Sequence, residues 1–313
     1  MRRHTLCVML LGALGCRPDP KPENTDTAAP VDSANPGDSG DSGDSGDSGD
    51  SGDSGDTGEA PEGVEAVVGA ACPAERRVGL VELEVADSGV QVVGWVFDRP
   101  DPRVEAPTEA NDTCAFYQQD RGDCTGCPDG QVCTSTGCQT AATRRSDVQL
   151  VVTGDGAPQT YDPVSDGYMY GPLDSPGSAY DITLTMGEDT VWVTDLPQPD
   201  PMPAVTVTLD ADELSPGPLE ATWTPYTSTD RVRTLIPMNH HNIEETFTEC
   251  SAPATSGSFY ATAAMVDPLA VVTGLEFQRV AAGQVAAAEL ADGGCVELRV
   301  ERQARPDFTY RPD

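Results

Sequence analysis

Lysine is almost missing from this chain. It occurs once, at Lys21, against seventeen arginines. Residues 63–313 therefore offer no amine for Schiff-base chemistry, for a phosphate-loop lysine or for a Ser-Lys pair. Histidine is nearly as scarce: His4 in the leader, then the adjacent pair His240 and His241. Neighbours on a strand point to opposite faces, so only one of that pair can serve a given pocket. No H-E-x-x-H, G-x-S-x-G, phosphate-loop or dinucleotide fingerprint is present. Met238 beside the two histidines is a conceivable copper or zinc set; a polar strand end is the simpler reading. Aromatics are only 5% of residues, so burial must rest on Val, Leu, Ile and Ala. Positive charge is short as well. The formal net charge is -34, of which residues 17–62 carry -11 and residues 63–313 carry -25. Such a surface repels phosphate backbones and excludes nucleic acid as a partner. It also repels anionic head groups, so a membrane contact needs an anchor other than charge.

What the chain has in abundance is Asp, Ser and Gly. Asp38 to Gly58 reads Asp-Ser-Gly six times and closes with Asp-Thr-Gly. With no apolar residue it has no burial to offset chain entropy and is expected to stay solvated. Pro18, Pro20, Pro22, Pro30 and Pro36 stiffen the stretch before it. Residues 16–62 thus read as a disordered acidic linker, spanning roughly 35–40 Å as a coil. The repeat matches aspartic- and serine-protease triplets by letter alone: a catalytic Asp needs a rigid partner and a nucleophilic Ser a base. Its scattered carboxylates could collect Ca2+ weakly but form no cage. No cofactor is expected.

Upstream lie Arg2, Arg3 and the apolar run Leu6–Leu14, too short to span a bilayer as a helix. Ala13-Leu14-Gly15 then precedes Cys16. This resembles a bacterial lipoprotein signal peptide, with Ala13 where the usual box has Leu. The resemblance implies cleavage after residue 15, acylation of Cys16 and residence at the cell envelope, the outer membrane or the cell surface. Two or three acyl chains would anchor stably. Arg17 rather than Asp at the next position favours the outer membrane.

Cysteine counting fits. Of ten cysteines, Cys7 leaves with the leader and Cys16 takes the lipid, so eight remain: Cys72, Cys114, Cys124, Cys127, Cys133, Cys138, Cys250 and Cys295. Four of them run Cys124-x2-Cys127-x5-Cys133-x4-Cys138. That spacing suits zinc; in an exported chain it suits a disulfide knot better. The segment, about 111–142, is similar to epidermal-growth-factor-like or knotted inserts. Cys72 is the nearest partner for the fifth cysteine of the cluster, six cysteines allowing fifteen pairings. Cys250 and Cys295 are then left to pair with each other. Two short patterns lie alongside: Arg121-Gly122-Asp123, an integrin-type tripeptide expected by chance in such a composition, and Glu109-Ala110-Asn111-Asp112-Thr113, which fits the acidic bacterial N-glycosylation sequon.

The rest is strand-like. Val81, Leu83 and Val85 alternate with acids, Asp87-Ser88-Gly89 reads as a turn, and Val90–Phe97 returns with Trp95 as a core anchor. Val148–Val152, Ile182–Met186, Val191–Val193, Val205–Leu209, Val232–Ile236 and Val296–Val300 repeat the pattern. Pro197, Pro199, Pro201 and Pro203 mark a stiff connector. Ala281–Leu290 is Ala-rich and reads as a short helix. The expectation is an all-β protein: two β-sandwich-like domains, 63–199 with the Cys-rich insert and 201–306, after the linker. The second resembles fibronectin-III or immunoglobulin-like units in architecture, with Trp223 as its core tryptophan. The functional expectation is a lipid-anchored surface protein without catalytic activity, with an unknown protein or glycan partner. Two alternatives stand beside it. One is an envelope-polysaccharide hydrolase using a carboxylate pair among the 39 acids of residues 63–313. The other is a Ca2+-dependent adhesion module using loops such as Asp210-Ala211-Asp212-Glu213.

Overall fold

Alternation of apolar and polar side chains governs nearly every long segment, and the computed structural model is accordingly all-β. It describes residues 62–118, 124–164, 167–212, 215–237, 246–266, 280–304 and 306–311, all within one compact unit, Gly58–Asp313. The strands in chain order are β1 (Val64–Glu65), β2 (Val67–Val68), β3 (Arg77–Ala86), β4 (Gly89–Val96), β5 (Glu109–Ala110), β6 (Cys114–Tyr117) and β7 (Gln131–Thr134). There follow β8 (Gly137–Thr140), β9 (Val148–Thr153), β10 (Gln159–Tyr161), β11 (Tyr168–Leu173), β12 (Ala179–Met186), β13 (Asp189–Pro197) and β14 (Val205–Asp212). The last are β15 (Ser215–Trp223), β16 (Arg231–Pro237), β17 (Phe247–Pro253), β18 (Ser258–Ala261), β19 (Val280–Glu289), β20 (Cys295–Ala304) and β21 (Asp307–Arg311). One helical turn, α1 (Ala263–Val266), is also present.

Three sheets carry the fold. A ten-stranded sheet runs β11-β4-β3-β20-β19-β16-β17-β6-β5, with β2 pairing onto β19. A five-stranded sheet, β1-β13-β12-β9-β10, and a four-stranded sheet, β18-β15-β14-β21, complete the set. The first hydrophobic core joins Val81, Leu83, Val92 and Leu298 of the large sheet to Leu150, Ile182 and Val191 of the five-stranded one. The second joins Val232, Cys250 and Phe116 of the large sheet to Leu209, Leu219 and Phe259 of the four-stranded one, with Met265 of α1. Two β-sandwich-like units therefore share one continuous sheet.

The units are not consecutive in the chain. Val296, Leu298 and Val300 complete the first core, and Cys114 and Phe116 belong to the second, so a boundary near residue 200 does not separate them. The cause is the parallel pairing of β20 with β3, which carries the C-terminal strands back beside the first hairpin. Strand β19 serves both cores from one face: Val280 and Ala282 enter the second, Ala286 and Ala288 the first. This is the Ala-rich run expected as a helix. Buried on both faces, it loses the alternation that marks a strand, leaving only a composition that favours helix. At Gly283 a Cβ would lie 2.0 Å from the Val300 carbonyl, so only glycine permits this approach of β19 to β20.

Trp95 is also placed otherwise than expected. Val92, Gly94 and Val96 share the core parity, so Trp95 stands half-buried on the opposite face. Trp223 is in the second core, its Nε1 donating to the Ala254 carbonyl at 2.8 Å.

Candidate functional site: a charged trough in the curled sheet

The face of the ten-stranded sheet turned away from both cores is polar at its centre. Arg77 and Glu82 project there from β3, Glu297, Arg299 and Glu301 from β20, Arg233 from β16 and Glu249 from β17. Arg77 Nη2 donates to Glu249 at 3.2 Å, and Arg299 Nη2 lies 3.5 Å from the same carboxylate. Strands β3 and β17 are four places apart in the sheet, about 19 Å if it were flat. An arginine and a glutamate cannot bridge that gap, so the sheet curls into a trough around the charges.

Inside the trough, Glu297 is fully buried and ringed by cations. Arg233 Nη1 donates to it at 3.1 Å, Arg299 also donates to it, and the Cys72 backbone N–H donates at 2.8 Å. Burial alone would raise its pKa, but Arg299, Arg77 and Arg233 together hold it down at about 2. Arg233 pairs also with Glu301, and burial brings its guanidinium down to about 9, so it remains charged at neutral pH. The trough holds a cavity of about 330 Å3, walled by Leu80 and Leu235 as well as by charged side chains.

The segment before β3 closes one end. Strand β1 pairs with β13 of the five-stranded sheet and β2 with β19 of the ten-stranded one, so residues 64–68 strap two sheets together. The disulfide Cys72–Cys295 then fastens the strap to β20. Arg77 Nη2 donates to the Cys72 carbonyl at 3.1 Å.

All eight described cysteines are paired: Cys72–Cys295, Cys114–Cys250, Cys124–Cys133 and Cys127–Cys138. The knot cysteines pair among themselves on the hairpin β7–β8. Cys72 does not join them, and Cys250 and Cys295 do not bond each other. Counting from the nearest neighbour in sequence fails because β6 pairs with β17, setting Cys114 opposite Cys250, while β20 lies beside β3, just after Cys72. Sulfurs of Cys124, Cys127 and Cys138 lie together, as a zinc site would need, but are committed to disulfides.

Other sequence motifs fall as follows. The Asp87-Ser88 turn joins β3 to β4 in a hairpin. Asn111 of the sequon accepts from the Cys114 N–H at 2.8 Å and donates through Nδ2 to the Tyr260 carbonyl at 2.9 Å, so the nitrogen a glycan would need is engaged. Cys16, Arg121-Gly122-Asp123, Met238, His240 and His241 lie outside the described residues, as do the side chains of Asp210, Asp212 and Glu213. A hydrolytic acid needs a raised pKa. Asp230 has one, caused by burial, but Gln284 Nε2 at 2.7 Å and the Asp200 N–H at 3.2 Å enclose it away from the trough. No described helix is long and apolar enough to cross a membrane. The trough itself was missed in sequence reading, because its ion pairs span strands far apart in the chain.

No protein-family model and no curated protein matches the chain. Among solved structures, it is similar to a tetra-tandem repeat in the extending region of a large adhesion protein, at 13% identity and a TM-score of 0.17. That match covers 72% of this chain and 48% of the other, so the chain spans about half its length. A second is a structure titled for host cell surface retention of a 1.5-MDa bacterial ice-binding adhesin: 12% identity, 72% and 76% covered, TM-score 0.16. A third is the FN1-FN3 domains of chicken CNTN1: 10% identity, 68% and 75% covered, TM-score 0.18. Similarity this loose carries no argument about function.

Proposed function

We propose that this is an exported protein, held at the cell envelope by a lipid on Cys16, that acts by binding or by building surface structure and not by catalysis. The observation that carries the reading is the closed set of disulfides. Eight described cysteines pair among themselves in four bonds, which belongs to an oxidising compartment. Those four bonds use none of the cysteines upstream of the acidic repeat, so they make no demand on Cys16. The leader-like residues 1–15 and the acidic repeat support the same reading from sequence: one exports the chain, the other spaces it from the membrane. In the trough, Arg233 and Arg299 hold Glu297 as a carboxylate, which unsuits it to the proton-donor half of a hydrolytic pair. The test is fractionation of cells expressing the chain and its Cys16→Ala variant. The parent should be in the membrane fraction with an acyl mass on Cys16, and the variant in the soluble exported fraction. Equal membrane retention of both would overturn the anchor.

A further inference from the structure

Aromatic side chains are few, and the two cores share them unevenly: the second buries Phe116, Trp223 and Phe259. Among the described residues, the first core takes only Tyr161 and Tyr180, and its other members are aliphatic or Met. Four others, Trp95, Phe97, Tyr168 and Tyr170, gather beside β4 and β11 on the face opposite that core. Tyr170 is 63% exposed and sits directly across from Val93, itself 41% exposed. Tyr168 sits across from Trp95, whose ring lies 5.1 Å from Phe97. Arg144 stacks 3.9 Å over the Tyr168 ring and donates to its hydroxyl, so that ring is fixed before anything binds.

The patch runs into the trough without a break. Trp95 pairs across strands with Leu80, and Val93 with Glu82, the two residues that line the near wall of the 330 Å3 cavity. Carboxylates outnumber guanidinium groups in that lining: Glu82, Glu249 and Glu301 against Arg233 and Arg299. The surrounding residues 63–313 carry -25. An exposed Tyr170 flanked by the half-buried Trp95 and the pinned Tyr168, beside a charged cavity, has the features of a binding surface, and the sign of the charge chooses its partner.

We propose that the outer face of β11, β4 and β3 is a docking surface for a cationic polypeptide segment. Apolar side chains of the segment cover Tyr170, Val93 and Trp95, and a Lys or Arg enters the trough toward Glu82. This rests on the binding role proposed above. It is tested on purified protein in solution, so its outcome is independent of whether Cys16 is acylated.

The experiment titrates the full-length chain by calorimetry with an octapeptide of alternating Lys and Leu, with its Glu–Leu counterpart, and with an N-acetylglucosamine hexamer. The Lys–Leu peptide should bind at least tenfold more tightly than the Glu–Leu peptide. Tyr170→Ala, which changes no charge, should weaken it at least fivefold with an unchanged melting temperature, as should Glu82→Gln. Tyr260→Ala, at an exposed tyrosine elsewhere, should leave it unchanged. Binding indifferent to Tyr170→Ala would be diffuse attraction to an acidic protein and would overturn the proposal. So would binding of the hexamer in place of the peptide, which makes the face a glycan platform, or self-association lost in Tyr170→Ala, which assigns it to a second copy.

Discussion

The two faces of the ten-stranded sheet are cut from the same strands, one residue out of step. In β20, Val296, Leu298 and Val300 are sealed in an apolar core, while Glu297, Arg299 and Glu301 fill the trough behind them. In β3, Val81 and Leu83 face the core and Glu82 faces the trough. The core face gains stability from removing apolar area from water and tolerates no gap. On the trough face, gain and cost nearly cancel, because ion pairs must offset the desolvation of their own charges. The difference teaches which face is free to serve another purpose: a core of aliphatics is fixed by packing, whereas a buried charge cluster is seldom retained for stability alone.

That contrast can be broken at several points. The largest effect should come from the strap that joins the five-stranded sheet to the ten-stranded one. Replacing Cys72 and Cys295 together by Ala opens a loop with a sequence separation of 223, against 11 for Cys127–Cys138. Loop-closure entropy gives about 5 kcal/mol for the first and about 3 kcal/mol for the second. Denaturant titration of the two double variants should reproduce that order; equal losses would mean the strap does not hold the sheets together.

Next come single side chains on each face. Leu83→Ala should cost about 2–5 kcal/mol by leaving a cavity in the first core. Arg233→Ala should cost about 3–5 kcal/mol, for a different reason: it leaves Glu297 and Glu301 buried with too few cations. The two can be told apart by pH. Arg233→Ala should recover stability in acid, where the stranded carboxylates can take up protons, and Leu83→Ala should not.

A smaller effect follows from Glu297. Its folded pKa, about 2, lies below its usual 4.5 because three arginines surround it. Its contribution is therefore fully present above about pH 4.5 and is lost as pH falls through about 2. Urea midpoints measured from pH 5 to pH 2 should fall for the parent chain. The fall should be shallower for Glu297→Gln, and an identical slope would remove Glu297 from the trough's balance. Smallest of all, Val93→Ala on the outer face should change stability by less than about 0.5 kcal/mol, marking that surface as unnecessary to the fold.

Much of the fold was legible because a strand with one buried face writes its period into the chain. Strands β3, β12 and β14 all alternate, and the Asp87-Ser88 turn carries its own chemistry. The reading failed where a strand is buried on both faces, as β19 is, and at Trp95, whose apolar character marks a core residue although its parity sets it with Val93 on the outer face. Pairing that skips along the chain was hidden altogether. Nothing near Cys72 announces Cys295, since their proximity depends on β20 returning beside β3. The trough was invisible for the same reason: Arg77, Arg233, Glu249 and Glu297 are spread over more than two hundred residues and meet only when the sheet curls.

The most direct measurement is a disulfide map of the mature protein recovered from the membrane fraction, digested without reduction and read by mass spectrometry. The account predicts Cys72 linked to Cys295, Cys114 to Cys250, two further bonds inside the knot, and an acylated Cys16. Free thiols, a Cys250–Cys295 bond, or an unmodified Cys16 on a membrane-bound chain would contradict it.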